Sequence, residues 1–219
     1  MRLTNTAGGA FGIYAPRLSY SAFEDVLISG VTVGVQTRQV YMSHLSRLVL
    51  SSCATGVKMF SDGVTNPDTG QPYIAGTSTH FDTCFATNCA TGFDLDLLIY
   101  STLTSCGVDH STADAYKLVR SVLTLNGCGA EYGTGRVLNI GTDTLASLNA
   151  FTSVRPGEVD PAPFSDYYAY LFDGCQAHFS GSWLQTAGGS VIGEGLIRNG
   201  AEATLTATRA AAAESWVGA

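Results

Sequence analysis

The stretch Asn126-Gly127-Cys128-Gly129-Ala130-Glu131-Tyr132-Gly133 decides the fold, because the phrase it belongs to occurs five times. Each copy has two residues separated by one position, then two more positions, then a cysteine. The copies are Leu48-x-Leu50-x-x-Cys53, Cys84-x-Ala86-x-x-Cys89, Ser101-x-Leu103-x-x-Cys106, Leu123-x-Leu125-x-x-Cys128 and Tyr170-x-Phe172-x-x-Cys175. A phrase that recurs along the chain indicates a repeat architecture.

The spacing of the phrase predicts a parallel β-helix. The interval from Cys106 to Cys128 defines one period, and the runs around these cysteines alternate between apolar and polar residues without helical spacing. A turn of about 20 residues with three or so short strands stacks on the next turn at about 4.8 Å. The alternative is an antiparallel β-sandwich, for which Asn126-Gly127 and Asn199-Gly200 would form the hairpin turns.

Turn-forming residues divide the chain into one domain with inserted loops. Removing the segment 61–75 brings the gap between Cys53 and Cys89 close to the period defined by Cys106 and Cys128, which indicates a loop there. A second loop is predicted at 153–165, which holds three prolines. We therefore expect a lead-in or incomplete first turn over 1–20, the all-β helix over 21–206, and a cap or linker over 207–219.

Composition excludes several classes of function. Charged residues are 13% of the chain, about half the usual quarter, and the net charge is −7 with two lysines. No basic stripe is available for nucleic acid. No apolar run reaches the roughly 18 residues of a membrane-spanning helix. The N-terminus lacks the apolar core of a signal peptide, so synthesis in the cytoplasm is expected.

The cysteines are predicted to be buried free thiols. Five of the six occupy the same place in the phrase, as expected for small apolar side chains stacked in a core. Three disulfides would instead require three pairs of cysteines whose Cβ atoms approach each other closely. Zinc is disfavoured because the chain has no Cys-x-x-Cys motif. No metal and no cofactor are expected.

Two acids are the predicted catalytic residues. The residue three positions after each cysteine should form one column, listed here in chain order: Gly56, Gly92, Asp109, Glu131 and His178. Asp109 and Glu131 are one period apart, which places their Cα atoms about 5 Å apart on adjacent turns. Such a pair could supply the acid and the base or nucleophile of glycoside hydrolysis. The alternatives are acids at a subunit interface or on plain surface.

Further candidates lie near this pair or on aromatic segments. Tyr132 and Arg136 are close in sequence, and Tyr167, Tyr168 and Trp183 could offer aromatic faces to sugars. These five residues are the predicted substrate contacts. Asp94 and Asp96 alternate with Leu95, so they form a second-choice acid pair on the outside of a strand. The histidines His44, His80 and His178 are interpreted as structural or surface residues.

Four segments resemble a known family. They are Asn88-Cys89-Ala90-Thr91-Gly92-Phe93, Ser105-Cys106-Gly107-Val108-Asp109, Ala115-Tyr116-x-Leu118 and Asn126-Gly127-Cys128-Gly129-Ala130-Glu131. They are similar to the pectin-lyase-like right-handed β-helix of bacteriophage tailspike and tail-fibre proteins. The segments Gly12-Ile13-Tyr14 and Phe23-x-x-Val26-x-Ile28-x-Gly30 are similar to the first turns of those proteins.

The resemblance implies a function at the surface of a phage. It implies a homotrimer in the virion tail, in contact with other tail proteins, that recognises a bacterial capsule or O-antigen polysaccharide. Many members depolymerise the polysaccharide as glycoside hydrolases or lyases through acidic residues, and others only bind. The alternative is a non-enzymatic structural fibre or adhesin whose column acids lie at the trimer interface.

A third hypothesis is a cellular polysaccharide lyase or epimerase. Those enzymes usually employ Ca²⁺ with clustered aspartates, or a Lys or Arg base. The scarcity of lysine and the lack of a dense aspartate cluster argue against it.

Overall fold

The computed structural model describes residues 2–4, 9–60, 70, 76–141, 143–154, 167–171, 176–186, 189–198 and 203–206. This part of the chain contains strands and turns and no helix, so it also offers no helix able to span a membrane. The strands are β1 (Arg2–Thr4), β2 (Phe11–Ser19), β3 (Ala22–Ser29), β4 (Val33–Tyr41), β5 (His44–Ser51), β6 (Thr55–Met59), β7 (Gly76–Thr77), β8 (His80–Asp82), β9 (Phe85–Thr87), β10 (Thr91–Asp96), β11 (Leu98–Thr104), β12 (Gly107–Asp109), β13 (Asp114–Val119), β14 (Val122–Asn126), β15 (Gly129–Glu131), β16 (Arg136–Ile140), β17 (Leu145–Asn149), β18 (Thr152–Val154), β19 (Tyr167–Leu171), β20 (Gln176–Thr186), β21 (Gly189–Arg198) and β22 (Ala203–Thr206).

Successive turns pair in parallel, so the predicted all-β parallel β-helix is confirmed. Asp109 lies opposite Glu131 on the next turn, and Ser29 lies opposite Ser51 with the same offset along the chain. The offset is longer between Val40 and Gly76, which are also paired. Between Phe60 and Gly76 the structure describes only Gly70. Most of the predicted loop at 61–75 therefore lies outside the described residues.

Three runs of strands form the sides of the solenoid. The ladder face consists of β4, β6, β10, β13 and β16. The third face contains β8, β11, β14 and β17. The groove face consists of residues 26–29 and 48–51 followed by β9, β12, β15 and β18. Along each strand, alternate side chains point into the core and out to solvent.

Left-handed residues turn the chain at the corners. One corner stacks Thr83, Ser105 and Gly127, and another stacks Asn88, His110 and Tyr132, all with φ between 50° and 57°. Their N–H groups donate to carbonyls of the next turn, as in Ser105 to Asn126 at 2.9 Å. The hydrogen-bond ladder therefore continues through the corners, which compensates for a conformation that non-glycine residues seldom adopt.

The five described cysteines are buried free thiols, as the sequence predicts. Each directly follows a left-handed corner residue, because the chain turns its next side chain into the core there. The cysteines form two stacks rather than the one predicted. Cys84, Cys106 and Cys128 follow one corner, and Cys53 and Cys89 follow another. Cys175 lies outside the described residues.

A buried tyrosine connects two faces through the core. The Tyr116 ring stacks on Phe93 with centroids 5.3 Å apart and planes 3° from parallel. Its hydroxyl crosses the interior to the carbonyl oxygens of Cys106, at 2.7 Å, and Gly129, at 2.9 Å. Burial raises the pKa of this phenol well above its ordinary value, so it stays a hydrogen-bond donor.

The C-terminal strands depart from the parallel pattern. β19 and β20 pair in parallel with β16 and β17, but β20 forms an antiparallel pair with β21, and β19 with β22. These last strands therefore do not add further parallel turns, although the sequence predicts a β-helix up to 206. At the other end, β2 already pairs in parallel with β4, within the predicted lead-in.

Candidate functional site

Two columns of outward side chains cover the groove face. The first consists of Val49, Phe85, Gly107, Gly129 and Thr152. The second consists of Ser51, Thr87, Asp109 and Glu131. The two columns run side by side along the axis, because alternate residues of each short strand face outward.

Glycines in the first column open a groove of about 660 Å³. Phe85 is 39% exposed, and the next two positions along the column are Gly107 and Gly129. A Cβ atom on Gly107 would lie 2.8 Å from the Phe85 ring, so the ring lies against this glycine. The floor is therefore bare backbone, and an aromatic ring forms one end wall.

Polar side chains rim this groove. Arg47, Thr83 and Ser105 line one edge, at the corner that precedes the floor. Glu131 lines the opposite edge, and Thr152 closes the far end of the floor. Hydroxyl groups, a guanidinium and a carboxylate thus surround an apolar patch, which is a combination suited to a polyhydroxylated ligand.

The predicted acids occupy adjacent turns at the edge of the groove. Asp109 lies directly opposite Glu131 in the parallel ladder, as their spacing predicts. Glu131 is exposed and lines the groove, whereas the Asp109 side chain is 22% exposed and is not part of the lining. The structure therefore brings the two acids together, and their catalytic roles stay a prediction.

A histidine beside Asp109 belongs to the same edge. Nδ1 of His110 lies 2.7 Å from Oδ1 of Asp109, which is ion-pair distance when the imidazole is protonated. That buried oxygen accepts no hydrogen bond from the described residues. The His110 ring stacks on Tyr132 of the next turn, with centroids 5.0 Å apart. Tyr132, a predicted substrate contact, thus packs beside the acids and also supports His110.

The predicted five-member column is wrong, because its members belong to three different columns. Gly56 and Gly92 lie one above the other, with 2.6 Å between the ideal Cβ position of Gly56 and the Gly92 carbonyl oxygen. His178 pairs with Ser147 on the third face. The position above Asp109 is instead Thr87. The same phrase occurs at two different corners of each turn. An alignment of its copies therefore places residues from one corner in the same column as residues from the other.

Other predicted residues lie away from the groove. Arg136 donates to Asp114 from Nε at 2.6 Å, and Asn139 donates to the same carboxylate at 2.9 Å, so Arg136 belongs to a structural cluster on the ladder face. Asp94 faces Lys117 at 3.2 Å, and Asp96 accepts a hydrogen bond from Arg120 Nε at 2.8 Å. The second-choice acid pair is therefore neutralised by cations of the next turn.

The three remaining aromatic candidates lie in the C-terminal strands. Tyr167 and Tyr168 lie in β19, and Trp183 in β20 pairs with Thr152, the residue at the end of the groove floor. His44 and His80 stack edge to face at the surface of the third face, in line with their structural interpretation. No group of three or more metal-binding side chains occurs among the described residues.

Sequence reasoning missed Phe85, Arg47 and the glycine floor. The available signal was an aromatic residue at an outward position, followed one and two periods later by Gly107 and Gly129. In a parallel solenoid, such a series predicts a ring standing beside an empty stretch of sheet.

Known proteins resemble this chain in fold and not in sequence. No protein-family model and no curated protein sequence matches it. Among solved structures it is similar to the gp42 tailspike of Acinetobacter phage vb_AbaP_AS12, with a TM-score of 0.65 and 18% sequence identity. The match covers 85% of this chain and 33% of the tailspike, so this chain spans about a third of that protein's length. The likeness is one of fold, and the chain forms a tailspike-like parallel β-helix.

Proposed function

We propose that this chain is the β-helix of a phage tail protein that recognises a bacterial surface polysaccharide, either capsule or O-antigen. The observation that carries the proposal is the groove, in which Phe85 stands beside the glycine floor and the polar rim includes Glu131. The tailspike-like fold supports the tail location.

The groove has the chemistry that a sugar chain requires. A pyranose has apolar C–H faces that stack on an aromatic ring, and Phe85 offers one at the surface. Sugar hydroxyls donate to carboxylates and exchange hydrogen bonds with Thr83, Ser105 and Thr152. The groove runs along the axis across several turns, so it can hold a linear polymer.

A binding test compares Phe85→Ala with Tyr100→Ala. Tyr100 is a matched control because this aromatic residue is 74% exposed and does not line the groove. Phe85→Ala should weaken binding to a responsive purified capsule or O-antigen at least about tenfold, as expected for loss of about 1.4 kcal/mol of stacking and burial. Equal affinities of the two variants would reject the groove as the binding site.

Cleavage of the bound polysaccharide is a second candidate activity, favoured by the direct opposition of Asp109 and Glu131. Their backbones lie about 5 Å apart, which allows the two carboxyl groups to reach the roughly 5 Å separation of the acid and nucleophile in a retaining glycosidase. In this assignment Glu131 acts from the groove, and Asp109, held beside His110, is its partner.

The cleavage test measures polymer length after incubation with wild type, Asp109→Asn, Glu131→Gln and the control Asp143→Asn. Asp143 is an exposed corner acid that does not line the groove, and Asn tolerates its left-handed φ of 55°. Each site variant should lose at least about a hundredfold in rate. Binding without any depolymerisation by wild type would instead favour the non-enzymatic fibre or adhesin, with these acids at a subunit interface.

The assembly belongs to the same proposal. We expect a homotrimer that contacts other tail proteins in the virion, and the mass of the purified protein in solution tests the trimer. A monomeric mass at micromolar concentration would contradict it.

A further inference from the structure

The charges around the groove define the class of polysaccharide that it can accept. Glu131 is exposed on one edge, and Asp109 lies opposite it on the adjacent turn. Asp109 is turned towards His110, 2.7 Å away, so Glu131 is the acid on this edge that presents its negative charge to a ligand in the groove.

The cation on the opposite edge is already engaged. Arg47 donates from Nε and Nη2 to the two oxygens of Asp25, at 2.6 and 2.9 Å, and Nη2 also contacts Glu24 at 3.4 Å. The hydrogen bond to Asp25 raises the pKa of Arg47 further, so the guanidinium stays charged within this cluster. One cation between two carboxylates leaves this edge with a net negative charge as well.

Several other cations of the described residues belong to the ladder face or its edges. Lys58 and Lys117 lie on the ladder face, where Lys117 pairs with Asp94. Arg120 and Arg136 are bound to Asp96 and Asp114. Arg47 is the one cation among the described residues that line the groove. A carboxylate or phosphate on a bound glycan would therefore face Glu131 on one edge and, on the other, an arginine whose charge is already shared with two carboxylates.

We infer that the groove selects uncharged polysaccharides and rejects those that carry uronic acids, pyruvate or phosphate. This inference rests on the proposed function, since it names the class of glycan that the same groove takes. An uncharged sugar stacks on Phe85 and donates its hydroxyl protons to Glu131, a charge-assisted hydrogen bond that an anionic substituent cannot make.

The experiment measures binding to an immobilised panel of purified bacterial capsules and O-antigens of known composition, half of them neutral and half anionic. Binding is recorded at about 10 mM and about 150 mM NaCl, between which the Debye length falls from about 30 Å to about 8 Å. Wild type should bind among the neutral polymers, with affinity that changes less than about threefold between the two salt concentrations.

Charge reversal sharpens this test. Glu131→Lys should raise binding to anionic members at least tenfold at low salt, and the gain should shrink at the higher salt concentration. The matched control Asp143→Lys makes the same change in net charge away from the groove and should give less than a threefold gain, once its unfolding shows that Lys is accommodated at the left-handed φ of 55°.

The outcomes separate the inference from the proposed function. Binding to anionic members that is lost in Phe85→Ala would overturn the charge selection and leave the groove as the glycan site. Equal gains for Glu131→Lys and Asp143→Lys would also overturn it. Binding that Phe85→Ala leaves unchanged, or no binding to any member, would overturn the proposed function and this inference with it.

Discussion

The ladder face and the groove face share one backbone geometry, yet they stack side chains by opposite rules. On the ladder face, Lys58, Asp94 and Lys117 occupy successive turns, so each charge meets its opposite across the strands. On the groove face, Asp109 stacks on Glu131. The bulky Phe85 is followed on the next turn by Gly107, which leaves the backbone uncovered there.

This difference separates side chains that maintain the solenoid from side chains available for function. Opposite charges and filled columns are the stabilising arrangement for neighbouring strands. A like-charged pair and a bare floor give up some of that stability, and such local departures are expected where a protein binds a ligand.

The largest effect should come from the residue that links the two faces. Tyr116→Ala removes the ring stacked on Phe93 and the hydroxyl that reaches the Gly129 carbonyl under the groove floor. The free energy of unfolding should fall by about 3–5 kcal/mol, because a large aromatic residue is lost from the core. Denaturant unfolding measures this change.

Tyr116→Phe separates packing from support of the floor. It keeps the ring and should cost about 1–3 kcal/mol, since the phenol donor to both carbonyl oxygens is lost, although the Cys106 oxygen keeps its bond from the Gly129 N–H at 3.0 Å. Unchanged stability in this variant would show that the hydroxyl does not hold the floor.

Filling the floor should affect binding much more than folding. A Cβ on Gly107 would touch only the Phe85 side chain, which lies at the surface and can move, so Gly107→Val should cost less than about 1.5 kcal/mol. Polysaccharide binding should fall at least about tenfold. The control Thr102→Val, on the third face, should leave binding unchanged. A Gly107→Val protein that binds normally would contradict a ligand seated on the floor.

Reversing one charge on each face should change the free energy of unfolding slightly, and in opposite directions on the two faces. Nζ of Lys117 lies 3.2 Å from Oδ1 of Asp94, and Lys117→Glu replaces this attraction by a repulsion. The variant should be less stable by about 0.5–1 kcal/mol, after allowance for the partial exposure of Lys117. Glu131→Lys should stabilise the protein by a few tenths of a kcal/mol. Unfolding at low and high salt measures both, and equal signs would reject the comparison.

The smallest effect concerns acid stability at the corner beside the groove. The hydrogen bond from Arg47 lowers the pKa of Asp25. Its stabilising contribution is therefore present above the ordinary carboxyl pKa of about 3.9 and is lost as the pH falls through the lower folded-state value. Asp25→Asn, which tolerates the left-handed φ of 54°, should lose slightly less stability than wild type on acidification. A steeper loss in the variant would contradict this assignment.

The strict spacing of the repeat made part of the structure predictable. Asp109 and Glu131 are separated by one turn without an insertion between them, so their opposition followed from the sequence. The phase of the repeat, that is, which corner each cysteine follows, could not be predicted in this way. Ser52-Cys53 and Ser105-Cys106 are both an outward left-handed residue followed by an inward thiol, because the two corners have the same backbone geometry. The two corners favour the same local sequence, so the sequence pattern alone does not tell one corner from the other.

The groove itself depends on relations that a local pattern does not contain. Phe85 looks like an ordinary outward residue of a short strand until Gly107 is stacked on it. The engagement of Arg47 likewise depends on Asp25 and Glu24, one turn away along the axis. The antiparallel pairing of β20 and β21 carries no repeat signal, because the change in strand direction ends the periodicity.

The longer offset between Val40 and Gly76 shows that this scaffold accommodates extra residues between β6 and β7 while both strands keep their pairing with β4. The interior is filled independently of such an insertion, since Phe81, Phe93 and Tyr116 are fully buried on the turns that follow it. A grafting experiment could transplant recognition segments at this position and retain the same stack beneath them.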